Sequence, residues 1–141
     1  MQWDSTDGDN ISLPTGDDWY LANYEEMNFY RVNYDSDNWN KLSDQLMDDL
    51  TANIPSDRAG LMDDAFNLGR AEQLDYDVVL GMTLYLANET EYVPWTVASD
   101  NLAWLSEILR FQNIYGMFRE YIVKQTENMY AITGWGASGA G

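Results

Sequence analysis

Arg58-Ala59-Gly60-Leu61-Met62-Asp63-Asp64-Ala65-Phe66-Asn67-Leu68 is the stretch that decides the fold. Leu61, Met62, Ala65, Phe66 and, just beyond, Gly69 recur at helical spacing, which puts them on one face. Asn53-Ile54-Pro55-Ser56 separates this helix from an earlier one. There, Trp39, Leu42, Leu46 and Leu50 fall at i, i+3, i+7 and i+11, with Asp35 or Ser36 as the cap. Downstream, a third helix is predicted from about Tyr76 to Asn88, with Val78, Val79, Met82, Tyr85 and Leu86 inward. Pro94 suits the first turn of a fourth, whose buried stripe is Trp95, Ala98, Leu102, Leu105 and Leu109. A fifth starts near Asn113 and buries Ile114, Tyr115, Phe118, Tyr121 and Ile122.

The period is different before Asp35. Trp19-Tyr20-Leu21-Ala22-Asn23 and Asn28-Phe29-Tyr30-Arg31-Val32-Asn33-Tyr34 are short aromatic and β-branched runs, with Glu25 and Glu26 between them. They read as a β-hairpin over residues 19–34. Residues 1–18 are acidic and dotted with Gly8, Pro14 and Gly16, a flexible N-terminal segment. Residues 134–141 form a Gly/Ala-rich tail with little to bury. The predicted fold is mainly α: the short hairpin, then about five antiparallel helices over residues 35–133 in a solenoid-like, HEAT-like stack. No repeated sequence pattern accompanies it.

The chain has 141 residues, 45% hydrophobic and 14% aromatic, enough for one folded domain with a real core. Seven Lys and Arg stand against 24 Asp and Glu, for a net charge of −17. Such a surface repels phosphate backbones and anionic membranes, so nucleic-acid binding is not expected. No run approaches the roughly 20 apolar residues that a membrane-spanning helix needs, so direct membrane insertion is not expected. Met1 to Asp7 has neither a basic leader nor an apolar run and does not read as a signal peptide. Two N-glycosylation sequons occur, Asn10-Ile11-Ser12 and Asn88-Glu89-Thr90, both possible acceptors.

The chain contains no His and no Cys. A zinc peptidase site needs two His one helical turn apart plus a Glu base, so that metal and attacking water meet on one face. Neither that site nor a structural zinc site can be assembled here, and no catalytic, cofactor-binding or metal residue is assigned. A hydroxyl nucleophile would also lack its usual activating base. Oxygen ligands remain, but Asp4-Ser5-Thr6-Asp7-Gly8-Asp9-Asn10 lacks the spacing and closing Glu of a calcium loop and reads as a solvated loop. Adjacent helical residues point about 100° apart, so Asp48-Asp49 and Asp63-Asp64 are not expected to converge on one atom. Asp64, near the turn that carries Arg58, is expected to pair with an arginine inside the helix stack. Trp39, Trp95, Trp104 and Phe66 fall on or beside the stripes and read as core.

Three phrases carry a family resemblance in their order and spacing: Phe29-Tyr30-Arg31-Val32-Asn33-Tyr34-Asp35, Arg58 to Leu68, and Glu91-Tyr92-Val93-Pro94-Trp95. Together they resemble the aminopeptidase N family of zinc exopeptidases (gluzincin aminopeptidases), and the likeness runs from about Trp19 to Trp135. Its structural motif residues are Tyr30, Arg31, Asn33, Tyr34, Asp35, Arg58, Asp63, Asp64, Phe66, Pro94 and Trp95. The Tyr-Val-Pro-Trp form looks more like the membrane-bound branch than the cytosolic puromycin-sensitive branch.

The resemblance implies a fragment spanning the last strands of a β-sandwich domain and the first helices of the C-terminal helical domain, truncated within it. The parent would be a zinc enzyme, membrane-anchored with extracellular domains, that removes N-terminal residues from peptides. Its zinc motif has no counterpart here, so this region would be non-catalytic, supporting and capping the peptide chamber. Implied partners are the rest of the aminopeptidase, its peptide substrate and, in some members, a second copy. The alternative is a free-standing acidic helical scaffold that binds a protein or peptide.

Overall fold

A computed structural model describes residues 18–26 and 30–133. The predicted acidic segment up to residue 17, the loop Asp4 to Asn10, the Asn10 sequon, Phe29, Gly134-Trp135 and the tail lie outside the described residues. Five α-helices occur among those described: α1 (Ser36–Asp48), α2 (Pro55–Arg70), α3 (Tyr76–Gly81), α4 (Tyr92–Leu109) and α5 (Tyr115–Thr133).

Three helix starts show the chemistry their sequence gives. Asp35 caps α1, its side chain accepting the Asn38 N–H at 2.9 Å. That hydrogen bond, together with one from the Tyr20 hydroxyl, holds the Asp35 carboxyl below the usual range. Pro55 opens α2, where a missing N–H costs nothing. Pro94 sits buried in the first turn of α4.

The third helix is shorter than its period predicts. α3 stops at Gly81, and Leu84–Asn88 continues as a tighter 3-10 turn. The same side chains still point inward, since Val79, Met82, Tyr85 and Leu86 are buried. α5 begins at Tyr115, and of its predicted stripe only Phe118 is fully buried, while Ile114 is exposed.

The β-hairpin is not present: no strand occurs among the described residues. Tyr24–Glu26 forms a 3-10 turn, with Asn23 and Glu25 both at positive φ. The described parts of the two runs form no ladder: they meet through the Tyr34 hydroxyl, which accepts the Ala22 N–H at 3.0 Å, and otherwise bond to helix side chains. Tyr20 N–H donates to Asn38 Oδ1 at 3.0 Å, and Asn38 Nδ2 returns a bond to Tyr20 O at 2.9 Å. Val32 N–H donates to Asp64 Oδ2 at 3.1 Å. Aromatic, β-branched composition marked these residues as buried and extended, but the groups that satisfy their backbones are side chains, of Tyr34 and of α1 and α2.

The helices do not stack simply in sequence order. α2 packs chiefly on α4, α1 on α3 and the 3-10 turn behind it, and α5 on that turn and α4. One core joins them, with Trp39, Phe66, Tyr85, Leu42 and Met62 buried at its centre. Gly69 is there for closeness: a Cβ at this position would meet Val79 Cγ2 at 3.0 Å.

Candidate functional site

The most heavily bonded group among the described residues is buried in the helix stack. Arg58 and Glu89 are 3% and 0% exposed and form a two-pronged pair. Nε donates to Oε2 at 2.7 Å and Nη2 to Oε1 at 2.8 Å. Arg58 Nη1 also donates to the carbonyls of Asn53 at 2.5 Å and Leu50 at 3.1 Å. Glu89 Oε1 accepts the N–H groups of Thr90 and Glu91, each at 3.0 Å, just where α4 begins. Trp95 Nε1 then donates to Glu89 O at 2.9 Å.

Two side chains therefore tie together the α1–α2 connection, α2, the 3-10 turn and the start of α4. Burial alone would lower the pKa of Arg58, but its bonds to Glu89 outweigh that and hold it raised. The Tyr85 phenol is also buried, and desolvation with the charge of Glu89 pushes it far up, so it stays neutral.

A second cluster fastens the lead-in segment, residues 18–26 and 30–35, to the helices. Arg31 Nη1 reaches Asp63 Oδ2 at 2.8 Å and Asp64 Oδ1 at 3.5 Å. Adjacent carboxylates thus do meet at one atom, because the long guanidinium side chain bridges the angle between them. Asn33 Oδ1 accepts from Trp39 Nε1 at 2.9 Å. Tyr34 stands edge-on to Trp39 and Tyr20, with centroids 5.0 and 5.6 Å apart. Burial pushes the Tyr34 hydroxyl to about 12, so it remains a donor. Phe66 and Trp95 are buried core, whereas Tyr30 is exposed. Trp104, read as core, is instead a 36% exposed platform under the Arg70 guanidinium, 4.1 Å from its centroid.

Sequence reasoning missed Asp57. It is 3% exposed, and Oδ1 accepts the Glu25 N–H at 2.7 Å while Oδ2 has no partner. It lines a cavity of about 20 Å³ together with Asn23, Tyr34 and Asp64. Desolvation raises its pKa, partly offset by the Glu25 N–H. A raised folded pKa favours the folded state most below the unfolded carboxylate pKa, and this contribution is lost as pH rises through the folded one. Asp57→Asn keeps the acceptor and removes the charge. It is expected to raise stability at neutral pH by on the order of 1 kcal/mol, with the gain shrinking toward acid. Thermal melts of both proteins across that range measure it.

Among the described residues zinc finds no donor set. Besides the absence of His and Cys, no group of three or more Asp or Glu among the described residues is placed to hold a metal ion. The residues present do not fit the ion. Among the described residues, part of the surface around α4 and α5 is apolar and exposed: Phe111, on the turn between them, is 88% exposed, Met117 67% and Val123 58%. Between α4 and α5 lies an open groove of about 460 Å³, lined mainly by Tyr92, Trp95, Met129 and Tyr130.

Comparison with known proteins gives one consistent result. A family model described as ERAP1-like C-terminal domain matches residues 19–141. The thyrotropin-releasing hormone-degrading ectoenzyme of Rattus norvegicus is 41% identical over 117 residues, 83% of this chain and 11% of that protein. Aminopeptidase N of Plutella xylostella is 34% identical over 121 residues, 86% of this chain and 13% of that protein. Aminopeptidase N of Homo sapiens is 34% identical over 116 residues, 82% of this chain and 12% of that protein. The chain therefore spans roughly an eighth of the length of the curated relatives it matches.

Proposed function

Since this chain belongs to the aminopeptidase N family, through its ERAP1-like C-terminal domain, we propose that it is a non-catalytic helical support within a zinc aminopeptidase. The whole enzyme would remove N-terminal residues from peptides, with the zinc and its ligands supplied by another part. This region would brace and cap the chamber that holds the peptide. The observation that carries the reading is the buried Arg58–Glu89 pair, which locks four connected segments and leaves both charges unreachable by substrate. Exposed apolar residues such as Phe111 and Met117 support a partner surface, which the remainder of the enzyme would cover.

Support of this kind acts on catalysis by positioning: a chamber wall displaced by about 1 Å can cost on the order of 100-fold in rate. The experiment is a chimera. The matched segment of Homo sapiens aminopeptidase N is replaced by residues 19–133 of this chain, and a second protein lacks the segment. The chimera is expected to hydrolyse aminoacyl-anilides and short peptides, while the deletion loses both. A well-folded chimera without activity, or a deletion that keeps full activity, would refute the proposal.

A further inference from the structure

We propose that Asn88 is an acceptor for an N-linked glycan, attached while the chain is still unfolded. Asn88-Glu89-Thr90 is the single sequon among the described residues. The folded chain treats its three residues very differently. Asn88 is exposed at the end of the 3-10 turn Leu84–Asn88, and its side-chain amide makes no hydrogen bond among the described residues. Thr90 is exposed as well, on the non-helical link before α4. Glu89 between them is wholly buried, clamped by Arg58 and bonded to the Thr90 and Glu91 N–H groups.

Three other asparagines are committed to the fold. Asn38 bonds to Tyr20, Asn101 to Arg70, and Asn33 to Trp39, so a sugar on any of them would break a contact. Asn88 can carry a bulky polar group at no such cost, because the amide leads straight into solvent. The chemistry is transfer of an oligosaccharide from its lipid-linked pyrophosphate donor to Asn88 Nδ2. A glycosidic C–N bond forms, the sugar–phosphate bond breaks, and the amide proton leaves with the pyrophosphate side.

Timing follows from the buried residue. A transferase must bind the sequon as an open tripeptide, and the folded chain offers no such form while Glu89 is clamped. Attachment therefore precedes closure of the Arg58–Glu89 pair. The glycan then stands at the edge where Asn128 of α5 donates to Ala87 O, and keeps that end of the helix pair free of protein partners.

The test expresses the full chain behind a cleavable secretion signal in a eukaryotic host. Treatment with a glycosidase that leaves aspartate in place of glycosylated asparagine is followed by peptide mass spectrometry. The expected result is Asp at position 88, lost in Asn88→Gln and in Thr90→Val and retained in Thr90→Ser. Purified folded chain, incubated with the transferase and a lipid-linked donor, should stay unmodified at Asn88 unless first denatured. Secreted chain with unmodified Asn88 would overturn the site, and modification of the folded chain would overturn the timing.

Discussion

Glu89→Ala is expected to cost about 3–5 kcal/mol of folding stability, because it strands the Arg58 guanidinium in a core that excludes water. It also leaves the Thr90 and Glu91 N–H groups at the start of α4 without their acceptor. A domain with the usual ~5–15 kcal/mol in hand would lose a large share of it. Urea titration followed by tryptophan fluorescence measures the loss. The diagnostic comparison is Arg58→Met with Glu89→Leu in one chain, which removes both charges and keeps apolar bulk. That double variant should be clearly more stable than Glu89→Ala, since the cost lies in an unpaired buried charge more than in the missing pair. If the single and double variants are equally unstable, the two side chains are not coupled as described.

The second large effect is expected at Trp39, which is fully buried and joins α1 to the lead-in segment. Trp39→Ala should cost about 3–5 kcal/mol through lost burial and the cavity it leaves. Trp39→Phe keeps most of the packing but orphans Asn33 Oδ1, and about 1–3 kcal/mol is expected. By contrast, Arg31→Ala should cost no more than about 1 kcal/mol, because Arg31 and Asp63 are half-exposed. Hydrogen exchange in residues 30–35 distinguishes the two: Trp39→Ala should release those amides, whereas Arg31→Ala should leave most protected. Equal effects from both variants would mean that the segment is held by surface charge and not by its aromatic contacts.

Helices were legible because an amphipathic period survives any arrangement of neighbours. The buried stripes of α1 and α4 are mostly those the spacing gives, except that Leu50 falls in the 3-10 turn beyond α1 and Leu109 is only half-buried, and Asp35 caps α1 because its short carboxylate can reach the Asn38 N–H. The lead-in segment was misread for a definite reason. Alternating aromatic and β-branched residues report burial of an extended chain, but not which groups accept its hydrogen bonds. Here the acceptors are Asn38 and Asp64, far along the chain.

The Arg58–Glu89 pair was half visible. Arg58 lies four residues before Met62 and seven before Ala65, in register with the apolar face of α2, and an arginine there must find a buried carboxylate. Asp64 was the nearer choice by sequence, yet it leans outward to Arg31 and the Val32 amide. Glu89 is 31 residues from Arg58, and only the packing of α2 against α4 closes that distance. Asp57 left no sequence signal, since a carboxylate in the first turn of a helix is ordinarily a solvated, dipole-stabilising residue.

Metal content is the most direct check on the division of labour proposed here. The purified chain is incubated with zinc, dialysed, and assayed for retained metal and for its melting temperature with and without the ion. With only oxygen donors available, no stoichiometric zinc and an unchanged melting temperature are expected. One tightly held zinc per chain, with a melting temperature that rises with zinc concentration, would contradict a purely supporting role.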